Sequence, residues 1–186
     1  MSKRRLFEWG GIAAGVVLIG FGAASLALSI NGRAEVRDSL ARENIVGTPD
    51  STIPGQKVDT GDEAKAFAAV MRKHTLEATG GQTYAEMPRF LDESGQPTAD
   101  EALAATDPET GEPVANPARN IWVTETALST ALSTAYLAEQ IAFFGIVVGI
   151  ALLLTGIGFL VLAVGGALRH RAEATAPAGR PAVATK

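Results

Sequence analysis

Two long apolar stretches without a charged side chain lie near the ends of this chain, at residues 9–32 and 140–168. A helix rises about 1.5 Å per residue, so each stretch is longer than the roughly 30 Å hydrocarbon core of a bilayer. A lipid-embedded segment of this kind must be helical, because no water is present to satisfy its backbone N–H and C=O groups. The sequence therefore predicts two transmembrane helices.

The charges are distributed unevenly around these stretches. Positions 31–140 hold 18 of the 20 acidic residues and nine of the 16 Lys and Arg, so this segment has a net charge near −9. The basic residues that flank the spans on their other sides are Lys3, Arg4, Arg5, Arg169 and Arg171. Cytoplasmic flanks retain Lys and Arg, so both termini are predicted to be cytoplasmic and the acidic middle to lie outside the plasma membrane. Arg33 and Arg37 weaken this contrast without reversing it.

The first apolar stretch has an alternative interpretation as a cleaved signal peptide. It follows a basic start, and Ala27-Leu28-Ser29 resembles a weak cleavage site. The apolar part of a signal peptide is usually about 7–15 residues long, which is shorter than this stretch. We therefore favour an uncleaved anchor and leave cleavage as the alternative.

The helical pattern continues beyond both spans, because no Pro or Gly interrupts residues 33–45 or 118–144. The predicted fold is an all-α membrane protein, an antiparallel two-helix transmembrane hairpin with helical stalks and a small, mostly helical extracytoplasmic cap. Its segments are a cytoplasmic N-terminus (1–8), transmembrane helix 1 (9–32), stalks and acidic cap (33–139), transmembrane helix 2 (140–168) and a disordered cytoplasmic tail (169–186).

One helix is predicted within the cap. Thr60 and Glu63 have the spacing of a capping box, in which the two residues satisfy each other's backbone N–H groups. Gly80-Gly81 ends the helical pattern, and a second, weaker helix start is Thr98 before Leu103. No strand is predicted. Stretches rich in Pro, Gly, Asp and Thr are predicted loops: 46–58, 88–97 and 106–118.

Both spans carry small residues at matching intervals of four and seven. The six glycines are Gly11, Gly15, Gly22, Gly145, Gly149 and Gly156. Residues at these intervals share one helix face, and helices in lipid pack closely through small residues. The glycines are therefore predicted to form helix-packing faces.

An apolar stripe of helical period runs through the second stalk, from Ile121 through Leu128 and Leu132 to Ala135. Antiparallel spans bring residues at equal heights above the membrane together. The predicted stalk seam therefore consists of Val36, Leu40, Leu128, Ala131 and Leu132.

Catalytic and metal-binding patterns are absent from the sequence. The chain has no Cys, and its two histidines are His74 and His170. His74 is interpreted as structural, with Glu77 as a candidate partner. Thr155 is expected to bond its own helix backbone. We expect no catalytic residue, no metal site, no cofactor and, because of the acidic charge, no nucleic-acid binding.

Several short motifs resemble those of a known group of proteins. They are Val36-Arg37-Asp38-Ser39-Leu40, Asn44-Ile45, Gly55-Gln56-Lys57-Val58-Asp59-Thr60-Gly61, Ala64, Ala66, His74, Gly80-Gly81 and Thr83-Tyr84-Ala85-Glu86-Met87. With these motifs the chain resembles a group of uncharacterised actinobacterial two-span membrane proteins. Some of those carry the label of aromatic ring-opening dioxygenase. We reject that activity here, because its iron site commonly needs two His and a carboxylate, and the two histidines are predicted on opposite sides of the membrane.

These observations favour a non-enzymatic accessory or scaffold protein of the plasma membrane. Its expected partners are the lipid bilayer and other membrane-protein subunits or a second copy of itself. The alternative is a ligand-sensing or regulatory membrane protein whose cap binds a molecule outside the cell. An exported enzyme ranks third, because no catalytic set is present in the sequence.

Overall fold

The computed structural model describes residues 3–165. Its elements in chain order are α1 (Lys3–Arg42), α2 (Gly61–Ala78), β1 (Phe90–Leu91), β2 (Pro97–Thr98), a short 3-10 helix (Glu101–Leu103) and α3 (Ala118–Val164). The fold is mostly helical, as predicted. The predicted tail at 169–186, with Arg169, His170 and Arg171, lies outside the described residues.

The two long helices, α1 and α3, contain 40 and 47 residues and run without a break. The prediction that each apolar stretch continues into a longer helix is therefore confirmed. Both helices are long and apolar enough to cross a membrane by length and composition. They contribute to two compact units of the chain. The paired-helix unit combines α1 up to Asn31 with α3 from Ala142, and the central unit is Gly32–Ile141.

The core of the central unit is assembled from all three helices and one loop. Its buried apolar residues are Leu40, Val58, Ala64, Phe67, Ala68, Val70 and Leu132. Helix α2 supplies four of them, because Ala64, Phe67 and Ala68 recur at helical spacing on one face. This core forms without any disulfide, since the chain has no Cys.

Both ends of α2 follow the local sequence. The Thr60 backbone N–H donates to the Glu63 carboxylate (2.9 Å), and the Glu63 N–H donates to the Thr60 hydroxyl, which confirms the capping box. At the other end, Gly80 has a φ of 64°, a left-handed conformation that glycine adopts without steric cost. The Gly81 N–H then donates to the carbonyl of Leu76. The helix therefore begins and ends where the sequence predicted.

The segment between α2 and α3 differs from the prediction. Strands β1 and β2 pair antiparallel, with Phe90 opposite Thr98 and Leu91 opposite Pro97. The prediction of no strand was therefore wrong. It failed because two-residue strands are too short to show the alternation of apolar and polar residues by which a strand is predicted. The second helix start is a single 3-10 turn, and its cap is Asp100 rather than Thr98.

The buried face at the start of α3 is shifted by one residue from the predicted stripe. Ile121 is 41% exposed, whereas Trp122 is 3% exposed. The indole N–H of Trp122 donates to the carbonyl of Gln82 (2.9 Å). A buried indole needs such a partner, and this one connects α3 to the segment that follows α2.

Candidate functional site

The six predicted packing glycines all lie at the contact between α1 and α3 in the paired-helix unit. Gly15 and Gly156 face each other: a Cβ on either one would lie within 3 Å of the other's carbonyl oxygen. Gly22 and Gly149 form a second reciprocal pair of the same kind. Gly11 lies against Ala163. Backbones approach this closely only where side chains are absent.

Gly145 completes this contact through a polar interaction. It faces Ser29, and its carbonyl accepts a hydrogen bond from the hydroxyl of Ser25 (2.9 Å). Thr155 instead donates to the carbonyl of Ala151 (2.7 Å), which confirms the expected bond to its own helix. At this contact the glycines of one helix therefore receive Leu and Ile side chains of the other, such as Leu26 against Gly149 and Leu160 against Gly15, and Ser25 adds an interhelical hydrogen bond.

The outer surface of the paired-helix unit is apolar and carries large side chains. Leu28 is 74% exposed, and Phe21 and Phe144 are each 68% exposed. Other exposed residues of this kind are Val16, Val17, Phe143, Val147, Leu154, Ile157 and Leu162. Glycines at the contact and so many large apolar residues on the outside differ from the usual arrangement of a protein in water.

The predicted stalk seam lies in the core of the central unit, with one exception. Leu40 and Leu132 are buried, and Val36 and Leu128 pack against the same cluster. Ala131 is exposed, because it lies one residue before Leu132 and so points about 100° away around the helix. Ala135, which was not assigned to the seam, packs there instead.

A buried carboxylate that the sequence analysis did not single out joins all three helices of the central unit. Glu139 on α3 accepts hydrogen bonds from Arg33 Nε (2.7 Å) and Arg37 Nε (2.9 Å) on α1. Its second oxygen accepts from the backbone N–H of Gly61, the first residue of α2. We call these four residues the Glu139 cluster.

The electrostatics of the Glu139 cluster favour the charged carboxylate. Burial on its own would raise the pKa of Glu139. The N–H of Gly61 and the guanidinium groups of Arg33 and Arg37 outweigh it, and they hold this pKa below its ordinary value of 4.5. A helix N-terminus adds a favourable partial positive charge. The sequence did contain a signal for this cluster. Arg33 and Arg37 are four residues apart just after the first apolar stretch, and Glu139 is the last acidic residue before the second.

A polar trough of about 570 Å³ lies between α2 and α3. Lys65 and Arg72 flank it on α2, and their cations lie 4.5 Å and 5.2 Å from the rings of Tyr136 and Trp122. Its α3 wall is rich in hydroxyls and includes buried Glu125, which accepts a hydrogen bond from Ser129 (2.7 Å). The other hydroxyl residues of this wall are Thr126, Thr130, Ser133 and Thr134.

An apolar groove, also of about 570 Å³, lies between the α1 and α3 segments of the central unit. Its floor is apolar and comes from the seam, with Val36, Leu40 and Leu132 among its members. On the α1 side its rim carries Glu35 and Glu43.

The one described histidine lies in a surface ion-pair cluster. Asp50 is 2.9 Å from both Lys73 Nζ and His74 Nε2. Hydrogen bonds from Lys73 and then His74 hold the pKa of Asp50 well below its usual range. The partner of His74 is therefore Asp50 and not Glu77, so that expectation was wrong.

Within residues 3–165, no group of three or more His, Asp or Glu side chains is placed to hold a metal ion. Comparisons of the chain with protein-family models, with curated proteins and with solved structures found no match.

The glycine contact predicts unequal effects of one substitution at two positions. Gly149→Leu should lower the thermal unfolding midpoint in detergent, because its side chain would overlap Leu26 and the carbonyl of Gly22. Overpacking of this kind costs about 1–3 kcal/mol. Gly158→Leu is the matched control on the same helix, since nothing lies within 4 Å of a Cβ there. Equal loss in both variants would contradict the proposed packing role of Gly149.

The Glu139 cluster predicts a stability that depends on pH. Because the pKa of Glu139 is lowered on folding, its contribution is present above its ordinary value and is lost as pH falls through the lowered value. Glu139→Gln should reduce the free energy of unfolding at neutral pH by about 1–3 kcal/mol. Urea titration from pH 7 downward should also show a weaker acid dependence than in the original chain.

Glu112→Gln is the matched control for this measurement. Glu112 is exposed, and its side chain makes no ion pair or hydrogen bond with any other residue that the structure describes. The control should keep both the stability and its acid dependence. If Glu139→Gln behaves like the control, the cluster does not stabilise the central unit.

Proposed function

We infer that this chain is a non-enzymatic accessory or scaffold protein held in the plasma membrane by two transmembrane helices. The observation that carries this proposal is the paired-helix unit, with reciprocal glycine contacts inside and large apolar side chains outside. Lipid favours this arrangement, because helices in a bilayer associate through close backbone packing and expose apolar side chains to acyl chains.

In this proposal, α1 and α3 form an antiparallel transmembrane hairpin with both termini in the cytoplasm. The segment 33–139 continues outside the membrane as helical stalks and an acidic cap. The uneven charge distribution supports this orientation, since the basic flanks at both ends follow the positive-inside rule. The same two-span layout is implied by the resemblance to the actinobacterial membrane proteins.

The central unit supports a role in interaction with other proteins. It has its own buried core, and a cluster of charged hydrogen bonds connects its three helices. An acidic surface on a unit with its own core suits docking of other membrane-protein subunits or a second copy. Nucleic acid would be repelled by its charge.

The polar trough favours a second candidate function, the sensing of a small ligand outside the cell. Lys65 and Arg72 lie two helical turns apart above a row of hydroxyls, and these two cations outnumber the one carboxylate of the lining, Glu125, so the trough suits a small anion. Phosphate or citrate that raises the unfolding midpoint of the original chain, but not of the Arg72→Ala variant, would support sensing. Equal shifts in both would reject this trough as the sensing site.

The topology can be tested in intact cells. The chain has no Cys, so a Thr52→Cys variant carries one thiol at an exposed position of the central unit. A membrane-impermeant maleimide should label it. Thr175→Cys, near the C-terminus, is the matched control and should be labelled only after permeabilisation. Labelling of position 175 with protection of position 52 would reverse the proposed orientation.

A further inference from the structure

The apolar groove has charged side chains along one rim and small side chains along the other. Glu35 lies on α1, and Glu43 directly follows the last residue of that helix, Arg42. The helical rise from Glu35 to Arg42 alone is about 10 Å, which is roughly two helical turns. Both are exposed, and neither makes an ion pair or a side-chain hydrogen bond within residues 3–165. Two free carboxylates beside an apolar floor are a pattern that a basic, apolar partner would complement.

The opposite rim consists of small side chains on α3. Ala131, Thr134 and Ala138 follow one another at intervals of three and four, so they share a helix face. Small residues at this spacing allow another helix to approach closely. The groove covers about 15 Å of α3, which is nearly three helical turns and matches the contact length of a packed helix.

We propose that this groove binds an apolar helix of a second membrane protein, and that Lys or Arg residues two turns apart on that helix pair with Glu35 and Glu43. The proposal rests on the proposed function, because it takes the central unit to be a docking domain. The apolar floor supplies the contact area. The two carboxylates select a basic partner helix and fix its position along the groove, because both ion pairs form at only one alignment.

Charge argues against the two other occupants of such a groove. A second copy bound across a two-fold axis would place the same surface on both sides and bring two acidic rims into one interface. An anionic phospholipid would place its headgroup beside the same carboxylates. A helix with basic side chains removes both conflicts.

The test uses the full chain in detergent and two synthetic helical peptides as probes. Both peptides have one Leu/Ala face. One carries two Lys eight residues apart, and the other carries Glu at those positions. In fluorescence anisotropy the Lys peptide should bind at least about tenfold more tightly than the Glu peptide, and added salt should weaken it. Equal binding of the two peptides would overturn the proposal.

Matched variants locate the binding to the groove. The double variant Glu35→Gln/Glu43→Gln should weaken the Lys peptide at least about fivefold, whereas Asp38→Asn/Glu112→Gln removes the same charge elsewhere and should not. Ala131→Phe fills the groove and should abolish binding. Its control is Ala34→Phe, at an exposed position outside the groove. Loss in the controls, or retention in the groove variants, would overturn the proposal.

The remaining outcomes identify other occupants. If Ala131→Phe converts an oligomer of the chain into a monomer, the groove binds a second copy and the proposal fails. If it releases a co-purified phospholipid while neither peptide binds, the groove is a lipid site and the proposal fails. The labelling of Thr52→Cys is independent of these results. Outside labelling without peptide binding rejects the groove alone, whereas inside labelling rejects the proposed function.

Discussion

The Glu139 carboxylate is the interaction on which the arrangement of the central unit depends most. Its two oxygens accept hydrogen bonds from α1 and from the first residue of α2, while the carboxylate itself belongs to α3. A buried charge is stable only when it is paired and hydrogen-bonded. The three helices must therefore hold one relative position for this carboxylate to remain ionised. The apolar core around Leu40 and Leu132 stabilises the same arrangement.

The same two helices associate by different chemistry in the two units. In the central unit, large apolar side chains are removed from water, and this burial is the usual driving force of folding. In the paired-helix unit, glycines of each helix face the backbone and the Leu or Ile side chains of the other helix, and many large apolar side chains remain on the outside. Burial of apolar area is not sufficient to explain that second contact, because many of its large apolar side chains stay exposed. Close packing of the backbone contributes as well, as at the reciprocal pair Gly22 and Gly149.

Much of the helical structure could be predicted because its signals are local. Thr60 and Glu63 mark the start of α2, and the long runs without Pro or Gly predict α1 and α3. The glycine spacing also identified residues that the structure places at one contact. Glu139 was missed because its partners lie 78 to 106 residues away in the chain. Trp122 was missed for a similar reason, since its burial depends on the carbonyl of Gln82. Ala131 was assigned to the seam from its position along the helix axis alone. The direction of its side chain around that axis was not considered, and it points away from the core.

The N-terminus of α2 has a consequence for how the central unit unfolds. Two carboxylates serve that one helix end, Glu63 through the capping box and Glu139 through the N–H of Gly61. Protonation of either loosens the same first turn, and the residues that follow it are Ala64, Phe67 and Ala68, which form much of the core. Fraying of this turn therefore exposes buried apolar side chains to water, whereas fraying of an ordinary surface helix exposes only residues that are already solvated. The central unit should consequently lose its structure as one cooperative block, with no stable intermediate in which α1 and α3 stay packed while α2 is detached.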